Sequence, residues 1–140
     1  MQYCENVNPE LHIKTAEIIA DFILNNLSAA AIENHHFAVS FARQYVHKYY
    51  MHDIHLSQIA NMYHINEKYL GRLFKEQIGI SFRQYLINTR TKKAAELLKQ
   101  TRKSITDISF MCGFNEITYF NHVFKKKYGA SPVEYRLKFK

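Results

Sequence analysis

NEITYFNHVFKKKYGASPVEYR, Asn115 to Arg136, repeats with few changes what the chain has already said as NEKYLGRLFKEQIGISFRQYL, Asn66 to Leu86. Tyr69 to Tyr85 matches Tyr119 to Tyr135 at an offset of 50, and Ile59 to Ile65 matches Ile108 to Phe114 at an offset of 49. The second copy therefore has one extra residue at the entry to its longer helix. Each copy reads as a short helix, a tight turn, a longer helix, then Gly-x-Ser and a new helix start. Ser81 with Gln84 and Ser131 with Glu134 have the spacing of capping boxes, and Pro132 suits the first helical position. Ser104 is the expected cap of the second short helix; His55, in that place in the first copy, is a poorer one.

Small residues at Ala60 and Ser109 are each followed four positions later by a turn residue, His64 and Gly113. A small residue lets two helices cross closely, and Gly enters a left-handed turn without steric cost. This is the pattern of a helix-turn-helix. Its appearance twice in register gives it weight.

Projected at about 100° per residue, the longer helices have two faces each. Leu70, Leu73 and Phe74 form an inner stripe in the first copy, and Phe120, Val123 and Phe124 in the second. Opposite them lie Lys68, Gly71, Arg72 and Lys75, and Thr118, Asn121, His122 and Lys125. No acid falls on either outer stripe. These side-chain types hydrogen-bond base edges and phosphates.

Charge agrees with that reading. Residues 53–140 hold 16 basic and 7 acidic side chains, a net of +9, whereas residues 1–52 hold 3 and 5, a net of −2. A field of this sign attracts a polyanion, and counterion release makes nucleic acid the natural one. Four Gly and two Pro in 140 residues favour helices over tight turns. No apolar run reaches the ~20 residues that span a bilayer, so no membrane partner is expected. Cys4 and Cys112 lack metal or redox spacing and are read as free thiols in a reducing cytoplasm. The histidines His35, His36, His47, His52 and His55 gather near one helix end, without acids or Cys at ligand spacing. Metal, cofactor and catalytic residues are therefore all expected to be none, and no enzyme is indicated.

Upstream of the repeat, Asn8-Pro9-Glu10 is a helix start, followed by Ile13, Ala16, Ala20, Ile23, Leu27 and Ala30 at alternating spacings of three and four, flanked by Ile19 and Phe22. Residues 9–31 are expected either to pair with a second copy or to pack on the rest of the chain. Glu33-Asn34 is read as an interruption, after which Phe37, Ala38, Phe41, Ala42, Tyr45 and Tyr49 form a second stripe. Between the repeats runs a helix from Phe82 to about Lys99, roughly 27 Å long. It can hold two recognition helices nearly one DNA turn apart, the ~34 Å spacing of successive major-groove faces. Arg90, Lys92, Lys93 and Lys99 on this connector either touch phosphates or form a solvated surface.

The fold expected is all-α: two helix-turn-helix subdomains joined by a long linker helix, with an extra N-terminal helix. The boundaries expected are 1–34 for the N-terminal helix, 35–80 for the first subdomain, 81–100 for the linker helix and 101–140 for the second subdomain.

The residues so far, above all Ile108, Gly113-Phe114-Asn115, Tyr119-Phe120, Val123-Phe124-Lys125, Gly129, Ser131-Pro132 and Tyr135-Arg136, resemble the DNA-binding domain of AraC/XylS-type bacterial transcription regulators. The resemblance covers about Phe37 to Lys138. It implies seven helices, with recognition helices over about 66–78 and 116–128 entering successive major grooves of a promoter site. It places Lys68, Gly71, Arg72, Ile117, Thr118, Asn121 and His122 at base edges, and Asn66, Lys75, Arg90, Asn115, Lys125 and Lys126 at phosphates. Double-stranded DNA is the implied partner, with RNA polymerase beside it. Gly71 offers no side chain to a base, His122 stands where relatives often have Arg, and His64 replaces the usual turn Gly. Relatives usually carry a sensing domain N-terminal to this module, and about 35 residues are too few for one. The chain is therefore read either as a short stand-alone regulator or as the C-terminal piece of a longer one, with the second preferred. The competing readings are a helical protein-interaction module, which needs no basic stripes, and an accessory DNA-binding domain of a recombinase.

Overall fold

The structure, a computed structural model, describes the backbone of residues 9–139, and side chains from Glu17 onward except those of residues 18, 25, 26 and 28. Asn8 and Cys4, and the side chains of Ile13 and Ala16, lie outside what it describes. Among the described residues seven helices follow in order: α1 (Pro9–Tyr49), α2 (Leu56–Met62), α3 (Glu67–Ile78), α4 (Phe82–Gln100), α5 (Ile105–Met111), α6 (Ile117–Tyr128) and α7 (Pro132–Lys138). No strand occurs among the described residues. The chain forms two compact units that divide between Phe37 and Ala38.

The expected interruption at Glu33-Asn34 is absent, because α1 runs through both residues. Neither is a breaker: Glu is a good helix former, and Asn costs only a few tenths of a kcal/mol, roughly. Within the first unit, Ile19, Phe22, Ile23, Leu24, Leu27, Ile32 and Phe37 are at least half exposed.

In the second unit, α1 residues Ala38, Val39, Ala42 and Val46 are buried with Ile59 and Ala60 of α2, Leu70 and Phe74 of α3, and Phe82 and Leu86 of α4. Of the stripe expected over Phe37 to Tyr49, Ala38 and Ala42 are buried, whereas Phe37 is exposed and Val39 and Val46, outside that stripe, take part in the core. The two alanines bring the helix close, while Phe41, Tyr45 and Tyr49 cover its flank and Phe37 stays exposed. A second core joins Ala94, Ala95 and Leu98 of α4 to Ile108, Cys112, Phe114, Phe120 and Phe124. Its rings meet in sequence, tilted for Phe114 and Phe120 at 5.0 Å and Phe120 and Phe124 at 5.5 Å, and edge-to-face for Phe124 and Tyr135 at 5.3 Å between centres. Such contacts add to simple area burial. The linker helix α4 thus belongs to both cores, its first turns to one and its last turns to the other.

Both helix-turn-helix crossings form as the repeat predicts. Ala60 and Ser109 are buried, and the turns close through Ile65 N–H to Ala60 O (3.0 Å) and Phe114 N–H to Ser109 O (3.1 Å). His64 and Gly113 both have positive φ, 53° and 87°. The caps are unequal. Ser131 and Glu134 make a full box, with Glu134 Oε2 accepting from Ser131 N–H at 2.7 Å and Ser131 Oγ accepting from Glu134 N–H at 3.3 Å. Ser81 accepts from Gln84 N–H at 3.2 Å, but the Gln84 amide turns along the helix to Asn88 Oδ1, so only half of the expected box exists. Ser104 caps α5 as expected, accepting from Asp107 N–H at 3.0 Å.

Candidate nucleic-acid interface

The outer face of α3 exposes Lys68, Arg72 and Lys75. Arg72 holds its guanidinium 5.7 Å from the centre of the Tyr69 ring, one helical step away on the same side. Gly71 is only half exposed, and a Cβ there would meet Leu56 Cδ2 at 3.4 Å. That position faces the start of α2 as much as open solvent. Asn66, expected at phosphate, is exposed but uses its Oδ1 to cap α3, accepting from Tyr69 N–H at 3.2 Å. Its amide nitrogen keeps donor capacity.

The corresponding face of α6 exposes Thr118, Asn121, His122, Lys125 and Lys126. Ile117 is half-buried and packs against the second core, so its position is shared between core and surface. Asn115 is exposed and lies one residue before the N-cap, Glu116, which makes no side-chain cap bond. The extra residue in the second copy explains the contrast: it displaces the asparagine from the capping position that Asn66 holds. A groove of about 420 Å³ lies beside this face, where Asn121, His122 and Lys125 meet Thr106 of α5 and Ser131 and Val133 of α7.

Several basic residues of α4 are committed elsewhere. Arg90, expected at phosphate, is half-buried and donates from Nε to Tyr50 O at 2.6 Å and from Nη2 to His52 O at 2.8 Å. Burial holds its pKa below the usual arginine value. Lys93 pairs with Glu96 at 3.1 Å, and Lys99 sits 3.9 Å above the centre of the Phe139 ring. The exposed face of α4 instead brings Gln84 and Asn88 to a groove of about 530 Å³ shared with Tyr119, His122 and Lys126. From sequence, Gln84 has only a capping role and Asn88 is passed over, because the surface of α4 is read for its cations. Lys127, next to this groove, donates to Asn88 O at 3.0 Å, and burial together with the charge of Lys92 lowers its pKa.

The histidines have local partners: His47 Nε2 lies 2.8 Å from Tyr85 Oη, and His55 pairs with Asp53 at 3.3 Å. Among the described residues no group of three or more His, Cys, Asp or Glu is arranged to hold a metal ion, and no helix is long and apolar enough to cross a membrane. Cys112 is fully buried, and burial pushes its thiol up to about 11.

Comparison with known proteins places this arrangement. A family profile described as a helix-turn-helix domain matches residues 59–138. The HTH-type transcriptional regulator YfiF of Bacillus subtilis is 40% identical over 85 residues, which cover 61% of this chain and 27% of that protein. The C-terminal domain of AraT, a response regulator from Geobacillus stearothermophilus, superposes with a TM-score of 0.68 at 38% identity, covering 72% of this chain and 84% of that one. A transcriptional regulator from Chromobacterium violaceum, described as of the AraC-type DNA-binding-domain-containing proteins, gives 0.61 at 27% identity over 79% and 95% of the two chains. The chain spans less than half the length of the curated relatives it matches, from 25% to 45% of each.

Proposed function

The chain belongs to the AraC/XylS-type helix-turn-helix family of DNA-binding transcription regulators, and on that premise we propose that it reads a promoter site by laying α3 and α6 in successive major grooves. One observation carries the reading: two copies of the same helix-turn-helix, mounted on one helix, expose outer stripes that hold bases, amides, hydroxyls and imidazole but no acid. A groove-facing acid would meet phosphate repulsion.

Roles follow from chemistry and exposure. Arg72, held over Tyr69, suits a bidentate bond to guanine O6 and N7, and Asn121 suits the N6 and N7 edge of adenine. Lys68, Thr118 and His122 flank them. Lys75, Lys125, Lys126 and the free donors of Asn66 and Asn115 neutralise or bond phosphate. Gly71 and Ile117 contribute shape at the groove floor, through backbone approach and apolar contact. The protein acts in the cytoplasm, beside RNA polymerase, as a regulator without catalytic activity of its own. Self-association through residues 9–31, where Ile19, Ile23 and Leu27 are at least half exposed, completes the proposal.

Selection of bound duplexes from a random pool tests it. The expected result is two half-sites about ten base pairs apart, bound with an affinity that falls steeply as salt rises. Binding that is absent or insensitive to salt favours the protein-interaction reading instead.

A further inference from the structure

The second turn contains a contact that the first lacks. A Cβ placed on Gly113 would lie 2.7 Å from Tyr50 O, 2.9 Å from Arg90 Nε and 3.0 Å from Met51 Cα. The backbone of the second helix-turn-helix is therefore pressed onto the turn that ends α1, at the carbonyl that Arg90 also holds. His64 occupies the equivalent place in the first copy with a similar backbone, yet its side chain is exposed. Left-handed geometry alone tolerates a side chain here. Gly113 is needed for the close approach.

The chemistry of the junction explains its strength. Carbonyls in the turn just past a helix have no intrahelical donor and lie near the negative end of its dipole. Tyr50 O and His52 O lie in the turn after α1, one and three residues past Tyr49, and Arg90 reaches them from the middle of α4, between the residues that serve the first core (Phe82, Leu86) and those that serve the second (Ala94, Ala95, Leu98). A planar guanidinium can bond two carbonyls at once, which a lysine ammonium cannot do with the same rigidity.

We propose that Arg90 is a positioning residue: by joining the α1 turn to α4 at the point where Gly113 docks, it fixes the second helix-turn-helix relative to the first, so that α3 and α6 keep the spacing of two groove faces. The inference rests on the two-groove reading above. It touches no base and adds no phosphate contact. Its effect is on the simultaneous engagement of both half-sites, where a rigid connection raises the effective concentration of the second helix once the first has bound.

Two measurements test it on the whole chain. In the first, wild type, Arg90→Leu and Arg90→Lys bind a selected duplex and the same duplex with one base pair inserted between half-sites. Wild type discriminates against the insertion, whereas Arg90→Leu loses about tenfold on the native spacing and little on the inserted one, with Arg90→Lys in between. An equal loss on both duplexes would overturn the proposal, since it would mark Arg90 as a phosphate contact. In the second, spin labels at Glu76→Cys and Asp107→Cys, in a Cys4→Ser background with Cys112 buried, report the distance between subdomains without DNA. The distribution is narrow in wild type and broad in Arg90→Leu; an unchanged width also overturns the proposal. Where no duplex is selected at all, the two-groove reading fails, and the label distances still decide the role of Arg90. Where Arg90→Leu loses helicity by circular dichroism, Arg90→Lys carries both measurements.

Discussion

The guanidinium of Arg72 lies 5.7 Å from the centre of the Tyr69 ring, where Arg72 is exposed and Tyr69 half-buried on α3. The ring limits where the long side chain can point before any DNA arrives, which lowers the ordering cost of a bidentate bond. Arg72→Ala is expected to lose about 1–3 kcal/mol on the selected site and to relax the preference at one base position. Tyr69→Leu, which removes the platform and keeps the bulk, should weaken binding by less and at the same position. Equal losses for Arg72→Ala on selected and random duplexes would show that it reads no base.

Lys125 offers the opposite behaviour. Its exposed ammonium lies in the last turn of α6, beside Lys126. Lys125→Ala should weaken all sequences alike and reduce the slope of log affinity against log salt by about one. Fluorescence anisotropy titrations at several salt concentrations measure both quantities.

The pair of turn residues predicts opposite stability effects. Gly113→Ala places a methyl 2.7 Å from Tyr50 O in a backbone region that already disfavours it, with φ at 87°. A loss of about 2 kcal/mol or more is expected from the strain and the displaced contact. His64→Gly relieves a positive φ of 53° at an exposed site and should be neutral or stabilising by up to about 1 kcal/mol. Urea unfolding of the two variants separates the effects.

The box at the start of α7 gives a pH dependence with a definite sign. The Ser131 backbone N–H, then its hydroxyl, hold the Glu134 carboxyl below its usual value of 4.5. A depressed pKa in the folded state means that the contribution is complete above the unfolded value and is lost as pH falls through the folded one. Stability of wild type should therefore decline more steeply below about pH 5 than that of Glu134→Gln, whose amide does not titrate. Ser131→Ala removes the hydroxyl acceptor and should cost about 1 kcal/mol near neutral pH. Thermal unfolding from pH 3.5 to 7 checks both, within the ordinary range of carboxylate titration.

How much of this was legible beforehand depended on the distance over which each residue acts. Helix types, turns and the inner stripes of α3 and α6 follow local periodicity, and the internal repeat doubled each signal. Glu33-Asn34 misled because a pair of polar residues resembles a boundary while breaking nothing. Phe37 misled because aromatics suggest a core; Ala38 and Ala42, in the same stripe, are buried as read, while Val39 and Val46 were passed over. Gly71 and Ile117 sit at the edge between core and surface, a place that a helical projection leaves to tertiary packing. Arg90 was the least legible residue, since its partners are backbone carbonyls 38 and 40 residues away. No side-chain pattern advertises a carbonyl.

The last prediction concerns the first unit, where Ile19, Ile23 and Leu27 are at least half exposed on one helix. Ile23 and Leu27, together with Ile13, Ala16, Ala20 and Ala30, continue a three-and-four spacing that Ile19 flanks, which is the seam of a short coiled coil. So few turns, with so many alanines, give a weak pair, and a micromolar rather than nanomolar association is expected, on the order of −8 kcal/mol. Ile23→Asp places a charge in the middle of that seam and should leave the protein monomeric at concentrations where wild type pairs. Sedimentation equilibrium distinguishes the outcomes: a wild type already monomeric at high concentration removes the dimer. The same variant should bind an isolated promoter site as wild type does, because Ile23 lies outside both helix-turn-helix cores. Any loss should appear only on duplexes carrying two complete sites, where pairing raises the local concentration of the second copy.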